Sequence, residues 1–442
     1  MAMHHSEVQV VESSLVTPSQ ETPRHQLWLS ALDLLQVSPG HTPTVYLYRR
    51  AAAAGDDDFF DVARLKASLA RALVPFYPVA GRLAVDASDG GRFVIDCNAE
   101  GALLVVARSD LTVGDLDISP STELKHMFVP RVEPSSSIML AVQVTFLKCG
   151  GVAFGSALHH AACDATSAFH FFHTWSSLCR LRCDVDDVDV VTPPCHDRAL
   201  LRARSPRVVS PDAFAVLCPK LNLVPRQATG AVVSKVFAVS DTHVAALKHA
   251  CCGGGVSVST FCAVSAHVWR CVCVARGLPG GATTRLTMPA SVRGRTRPPV
   301  PEGYFGNTII WVGTSAAVGD VTSEGLGDTA GRIRGAVRRM DDEVVRTAID
   351  YFEAQVAEEE KGPIPGDLPE TELRVISWLG MPVYDADYGW GKPERMVRAE
   401  VERSGFVYLM DDGGGGGVQV VVCVEAAILD RFEHLLYAKL SA

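Results

Sequence analysis

The chain is 442 residues long, beyond the length at which one hydrophobic core keeps growing, so two domains are expected. Hydrophobic residues make up 48%, enough for a large core, while a net charge of −9 and a pI near 5.9 supply no basic field. This argues against nucleic-acid and acidic-membrane partners and favours an enzyme acting on small molecules.

Thirteen Cys occur singly, as Cys251-Cys252 or as Cys271-x-Cys273, without C-x-x-C knuckles or the spacing of a disulfide framework. Buried reduced thiols are the expectation, and no metal is expected. Residues 1–7 lack a charged-then-apolar signal, and no apolar run approaches the ~18 residues that span a bilayer. A soluble cytoplasmic protein follows, with no membrane partner.

Val8 to Leu15 alternates as a strand, and Thr42 to Tyr48 reads as another. From Val62 the period changes: Leu65, Leu69, Ala72 and Leu73 recur at helical spacing until Pro75 stops the helix. Strands are predicted at Phe93–Asp96 and Ala102–Ala107. Ile138–Leu147 and Val152–Leu158 form a hairpin with Gly at its turn, which delivers His159 and His160 at the exit of the second strand. A helix starts near Asp164, with Phe169, Phe172, Trp175 and Leu178 on its packed face. His170 and His173 share that helix, and without a third ligand they read as packing or surface residues.

Cys183 to Gln227, with its charges and prolines, suits an interdomain crossover. Beyond it come a strand at Val232–Val239, helices at Thr242–Ala250 and Thr260–Arg276, and a charged helical pair over Arg332–Glu359 whose charges read as a solvated face. Strands at Phe406–Met410 and Val418–Val424 flank five glycines, and a helix over Ile428–Lys439 closes the chain. No helix start or Lys-Ser/Thr follows the glycines, so they read as a hairpin tip, not a phosphate cradle. The fold class is α/β, with the second half echoing the first.

Two strings carry chemistry. Ala157-Leu-His-His-Ala-Ala-Cys-Asp164 sets an imidazole and a carboxylate at HxxxD spacing, a pattern that chance also produces among 14 His. Tyr384-Asp-Ala-Asp-Tyr-Gly-Trp-Gly391 is rarer, because two Gly around a Trp dictate an unusual backbone path. Together they resemble the plant BAHD acyltransferases, acyl-CoA-dependent enzymes with HxxxD and DFGWG signatures. Here Tyr388 replaces the Phe of the second signature. Further strings, Thr42-Pro-Thr-Val-Tyr-Leu-Tyr-Arg, Ala72-Leu-Val-Pro-Phe-Tyr-Pro-Val-Ala-Gly-Arg-Leu, Ala266-His-Val-Trp-Arg and Arg297-Pro-Pro-Val-Pro-Glu-Gly-Tyr-Phe-Gly-Asn307, are similar to the hydroxycinnamoyl-CoA branch.

The resemblance implies two chloramphenicol-acetyltransferase-like αβ domains with mixed sheets, an active-site channel between them, and a monomer. The domains would be 1–185, joined by about 375–397, and 229–442, with 186–228 as crossover. It implies His160 as general base, without an acyl-enzyme, and Asp164 in an orienting or structural role. His159 would stand behind the base, and Cys163 would be a buried thiol, not a nucleophile. Asp387 would pair with Arg293, within a structural set that includes Gly389, Trp390 and Gly391. Lys248, Ser259 and Thr260 match positions that meet CoA, with Arg295 as a further candidate. Acyl-CoA is then a co-substrate and no cofactor is bound. A near-neutral imidazole pKa suits a proton acceptor.

Shikimate- and quinate-using relatives show Ser-Trp-x-Arg-Leu-Pro where this chain has Ser377-Trp-Leu-Gly-Met-Pro382, so Gly380 stands where an Arg would grip a carboxylate. Losing such a charge-assisted bond, worth roughly 1.5–3 kcal/mol, weakens a carboxylate acceptor about ten- to a hundredfold. The expectation is a primary amine acceptor, putrescine, agmatine, tryptamine or tyramine, in a pocket involving Thr42, Tyr46, Trp378 and Gly380. Gly380 as a simple turn residue is the competing reading. An O-acyltransferase gripping shikimate, quinate or another alcohol by a different cation stays open. So does a CoA-thioester-binding protein without turnover, against which the intact His160 and Asp164 argue.

Overall fold

Apolar runs of strand length and amphipathic runs of helix length alternate through the chain, and each sheet is covered by the helices that its own unit supplies. The computed structural model describes residues 8–50, 58–116, 119–133, 136–181, 192–218, 231–252, 257–356, 368–399 and 403–438. The chain divides into two compact units, Met1–Arg202 with Pro301–Asn307 and Met381–Glu400, and Ala203–Val300 with Thr308–Gly380 and Val401–Ala442. Residues 186–228, expected as a crossover, are shared: 192–202 go with the first unit and 203–218 with the second, while 182–191 and 219–230 lie outside the described residues.

In the first unit a six-stranded sheet runs in the order Gln9–Val16, Ala102–Ser109, Leu140–Leu147, Val152–His159, His41–Tyr48, Arg395–Arg398. Ala102–Ser109 and Leu140–Leu147 are parallel and the other pairings antiparallel, so the sheet is mixed. All of Val152–His159 is buried, which explains its unbroken apolar run where a half-exposed strand would alternate. On one face Val45, Leu47, Ala141, Ala153 and Ala157 pack with Leu124 and Phe128 of the Thr122–Phe128 helix. On the other, Phe154 lies 5.6 Å from Trp175 of the Ala165–Leu181 helix.

The Val62–Ala72 helix starts where Asp61 accepts from Arg64 N at 2.6 Å, and it buries Leu65, Leu69 and Ala72 completely. Each such Leu contributes about 1.5–3 kcal/mol. Its partner is the Ala165–Leu181 helix, whose Trp175 Nε1 donates to Ser68 Oγ at 3.1 Å. A small sheet of Gln26–Trp28, Arg92–Asp96 and Arg82–Asp86 completes the unit.

The second unit holds the other six-stranded mixed sheet, ordered Ile309–Ala317, Thr283–Ser291, Glu372–Ser377, Phe406–Asp411, Val418–Glu425, Val232–Val239. Its central helix, Thr260–Ala275, is buried on most sides by Asp241–Cys251, Leu326–Arg338 and Leu429–Tyr437. Trp269 Nε1 in that helix donates to Thr284 Oγ1 at 2.9 Å.

The strands at Thr283–Ser291 and Ile309–Ala317 were not anticipated. Pro289, inside the first, lacks an N–H and argues against a strand in sequence alone, yet it is seated opposite Trp311 in an antiparallel ladder. The charged helical pair starts earlier than expected, as Leu326–Arg338 and Asp342–Val356. No helix among the described residues is long and apolar enough to cross a membrane.

Candidate active site

His160 leaves the buried Val152–His159 strand, where the backbone turns. Its N–H donates to Gly40 O at 2.8 Å, and Ala162 N donates to His159 O at 3.0 Å. Four residues on, Asp164 ends the turn and begins the next helix: its Oδ1 accepts from Ser167 N at 3.0 Å and its carbonyl from Ala168 N at 2.8 Å. HxxxD spacing is therefore the length of a strand-to-helix turn, with the acid fixing the helix start. Asp164 acts on the His160 ring as a nearby negative charge.

The His160 residue is half-buried, but its Nδ1 is sealed from solvent, which leaves Nε2 as the nitrogen open to a reactant. Burial lowers its pKa, so at pH 7 the ring is neutral and has a lone pair that can accept a proton. His159 is more enclosed; burial, then the His41 and His160 rings, push it down to about 3. It stacks edge-on with His41 at 4.9 Å, and its Nδ1 accepts from Ala161 N at 3.2 Å, so it stays neutral and supports the turn. Cys163 is buried. His170 uses Nε2 on Thr192 O at 2.8 Å, and His173 is exposed.

Beneath the turn lies a buried network that the sequence reading missed. Asp33, 0% exposed, accepts from Arg198 Nη1 at 3.1 Å, from Asn307 N at 2.9 Å and from Asn307 Nδ2 at 3.0 Å through Oδ1. Its Oδ2 accepts from Ser30 N at 3.0 Å and Ser30 Oγ at 2.7 Å. Arg198 Nη2 donates to Ala162 O at 2.8 Å, and Asn307 Nδ2 to His160 O at 2.9 Å. Two backbone carbonyls of this turn thus hang on one carboxylate through two side chains. Ser30-x-x-Asp33 is legible as a capping box, but nothing local reveals what else that carboxylate holds.

In the second signature, Asp387 Oδ1 accepts from Gly389 N at 2.8 Å and Gly391 N at 2.9 Å, closing the loop on itself, with both glycines at positive φ. The Arg64 guanidinium lies 4.4 Å from the centre of the Trp390 ring, a cation–π contact that clamps the loop. Tyr388 is buried among Tyr48, Phe60, Phe154 and Trp175. The hydroxyl that distinguishes it from the family Phe has no hydrogen-bond partner. Arg293, the expected partner of Asp387, donates to the Thr308 hydroxyl.

Of the expected CoA contacts, Ser259 caps the Thr260–Ala275 helix, accepting from Cys262 N at 3.2 Å, and Thr260 is its first residue. That N-terminus is suited to an anion. Lys248 is half-buried in the last turn of Asp241–Cys251. Arg295 fits the role less well: its Nη1 donates to Val337 O at 3.2 Å and Met340 O at 2.7 Å, binding the end of the Leu326–Arg338 helix.

Among the acceptor residues, Thr42 is half-buried, Trp378 is 7% exposed, and Tyr46 is only 3% exposed within the sheet. Tyr46, expected in the acceptor pocket, thus offers a ligand almost no surface. Gly380 has φ +73° and open space around its missing Cβ, and its N–H donates to Asp411 Oδ2 at 2.7 Å. The turn reading of this glycine therefore holds for its backbone, and a carboxylate that sequence reasoning did not identify stands beside it.

The family model for the Transferase family matches residues 6–439. Putrescine hydroxycinnamoyltransferase 1 of Oryza sativa subsp. japonica is 43% identical, over 98% of this chain and 99% of the relative. Shikimate O-hydroxycinnamoyltransferase of Nicotiana tabacum is 36% identical, over 97% and 99%. In structure, the chain is similar to vinorine synthase, with a TM-score of 0.73 at 23% identity over 96% of both chains. With the HxxxD turn, the closed aspartate-glycine loop and two mixed αβ units in place, the chain belongs to the BAHD family of acyl-CoA-dependent acyltransferases, in its hydroxycinnamoyltransferase branch.

Proposed function

We propose that this protein transfers a hydroxycinnamoyl group, p-coumaroyl, caffeoyl or feruloyl, from CoA to a primary amine that carries a second cationic group, giving a phenolamide. Putrescine and agmatine fit this better than tryptamine or tyramine. The observation that carries the reading is the Asp411 carboxylate bonded to Gly380, at the position where shikimate-using relatives have Arg. A guanidinium there attracts an acidic acceptor, whereas a carboxylate repels it and pairs with a distal ammonium or guanidinium. Arg374, six residues earlier, is no substitute grip: it bonds Thr287 at 3.2 Å and lies 3.6 Å from the centre of the Trp311 ring. The rice relative, named for putrescine as its acceptor, supports the same choice.

In this reading CoA is held at Lys248, Ser259 and Thr260. The acceptor arrives as an ammonium of pKa ~10.4, and reaching the neutral form at pH 7 costs about 4–5 kcal/mol. His160, whose pKa is lowered, does not take that first proton; solvent does. The neutral nitrogen then attacks the thioester carbonyl carbon while His160 Nε2 accepts its second proton. As the tetrahedral intermediate collapses, the C–S bond breaks and the imidazolium returns that proton to the CoA thiolate. The protein works as a cytosolic monomer on small molecules alone.

The test is CoA release from p-coumaroyl-CoA with shikimate, putrescine, agmatine, tryptamine and tyramine in parallel. Turnover led by putrescine or agmatine is expected. Turnover led by shikimate, as the name of the tobacco relative suggests, would overturn the amine reading and leave acyl transfer intact.

A further inference from the structure

Asn307 is completely buried, and its amide has a fixed sense. Nδ2 donates to both Asp33 Oδ1 and His160 O, at 3.0 and 2.9 Å. Reversing the amide would press Oδ1 against a carboxylate and a carbonyl, so the nitrogen belongs where it is. Oδ1 is thereby turned away from both acceptors, is buried, and meets no donor in hydrogen-bonding geometry. A second buried atom in the same state is Nδ1 of His160, the residue whose carbonyl Asn307 already holds. Burial lowers the pKa of the ring, while its own backbone and, more weakly, the Asn307 side chain favour its protonated form, which sets both beside the ring.

The two atoms are complementary in only one tautomer. If Nδ1 carries the hydrogen, it donates to Oδ1 and both are satisfied. If Nε2 carries it, both buried atoms are acceptors without a donor, and the nitrogen open to the reactant has no lone pair for a proton.

We infer that Asn307 is a positioning residue that holds His160 as the Nδ1–H tautomer through Oδ1 and so keeps the Nε2 lone pair free for the acceptor. The inference rests on His160 as the general base. It moves the orienting role from Asp164, occupied at the helix start, to Asn307. Asp33 then serves as the anchor: its carboxylate takes five hydrogen bonds, three of them at the oxygen that holds Asn307. After proton transfer the imidazolium still donates from Nδ1 to Oδ1, so the pairing persists through the cycle.

The experiment is ¹⁵N NMR of the histidine rings in the full-length protein, with His160 assigned by comparison with His160→Gln, alongside steady-state kinetics. At pH 7.5 the His160 ring should show a protonated Nδ1 and an unprotonated Nε2. Asn307→Leu, close in volume, should give a mixture of tautomers and a kcat lower by about 10²- to 10⁴-fold, with the KM for acyl-CoA nearly unchanged. A wild-type ring protonated at Nε2 overturns the inference, even if Asn307→Leu does not fold. So does a folded Asn307→Leu that keeps the tautomer and kcat. Full turnover by His160→Gln would instead overturn the general-base reading, which separates the two failures.

Discussion

The turn at His160 and the turn at Gly380 are built in opposite ways. The first is tied from beneath: His160 O and Ala162 O are held by Asn307 and Arg198, and both side chains end on the completely buried Asp33. The second centres on a glycine at positive φ with open space around it, whose N–H donates to a partly exposed carboxylate. Proton transfer needs a base placed to within a fraction of an ångström, so its surroundings admit little change. Acceptor choice needs a charge of the right sign at the right end of the substrate, which one side chain on an open turn can supply or reverse. Substitutions in the first region should cost folding or turnover, and in the second only preference.

The strongest way to break this contrast is Arg198→Ala. It leaves Asp33 buried without its cation and should destabilise the protein by about 3–5 kcal/mol, read from urea denaturation. A loss under 1 kcal/mol would mean that the network is not the anchor described. Acid acts on the same region. The folded protein holds His159 at about 3 against 6.5 for the free side chain, so as pH falls below 6.5 the unfolded chain takes up a proton that the folded one refuses. His159 should lower stability by up to about 1.4 kcal/mol per pH unit in that window, and His159→Gln should flatten the dependence.

On the acceptor side, Asp411→Asn should leave stability and kcat nearly unchanged. It should raise the KM for putrescine and agmatine by about five- to thirtyfold, corresponding to ~1–2 kcal/mol for a partly exposed charge pair. An equal effect on tryptamine would show that the carboxylate supports the turn instead of reading the substrate. The smallest effect is expected at Tyr388→Phe, which removes a buried hydroxyl without a partner. Stability should rise by about 1 kcal/mol with turnover unchanged, measured as a shift in the urea midpoint. A loss would reveal a bond that this hydroxyl makes.

Local signals in the sequence reach as far as local physics does. The hairpin that delivers His160 is legible because two apolar runs meet at a glycine turn, and the Val62–Ala72 helix because leucines recur on one face up to a proline. The Thr283–Ser291 strand is not, since Pro289 contradicts it, and only the fold shows that Pro289 lies beyond the stretch that pairs with Glu372–Ser377. His160 and Asp164 were findable as a spaced pair. Asp33, Arg198 and Asn307 were not: they meet across 165 and 274 residues of sequence, and a buried carboxylate with five donors leaves no trace in the residues beside it. Asp411 escaped notice for a similar reason, lying 31 residues from the glycine it marks, on the strand that leads into the five-glycine tip.

The path of the chain has a practical consequence for engineering. The first unit is assembled from three stretches, and the shortest, Pro301–Asn307, ends on the residue that steadies the base. Cutting the gene once near residue 203 and exchanging everything downstream with a relative would replace that stretch, and Met381–Glu400 as well, leaving the recipient turn to be supported by foreign parts. A chimera meant to trade acceptors while keeping its catalytic power should therefore be discontinuous. It would take the donor's residues around 380 and 411 while keeping its own 301–307 and 381–400.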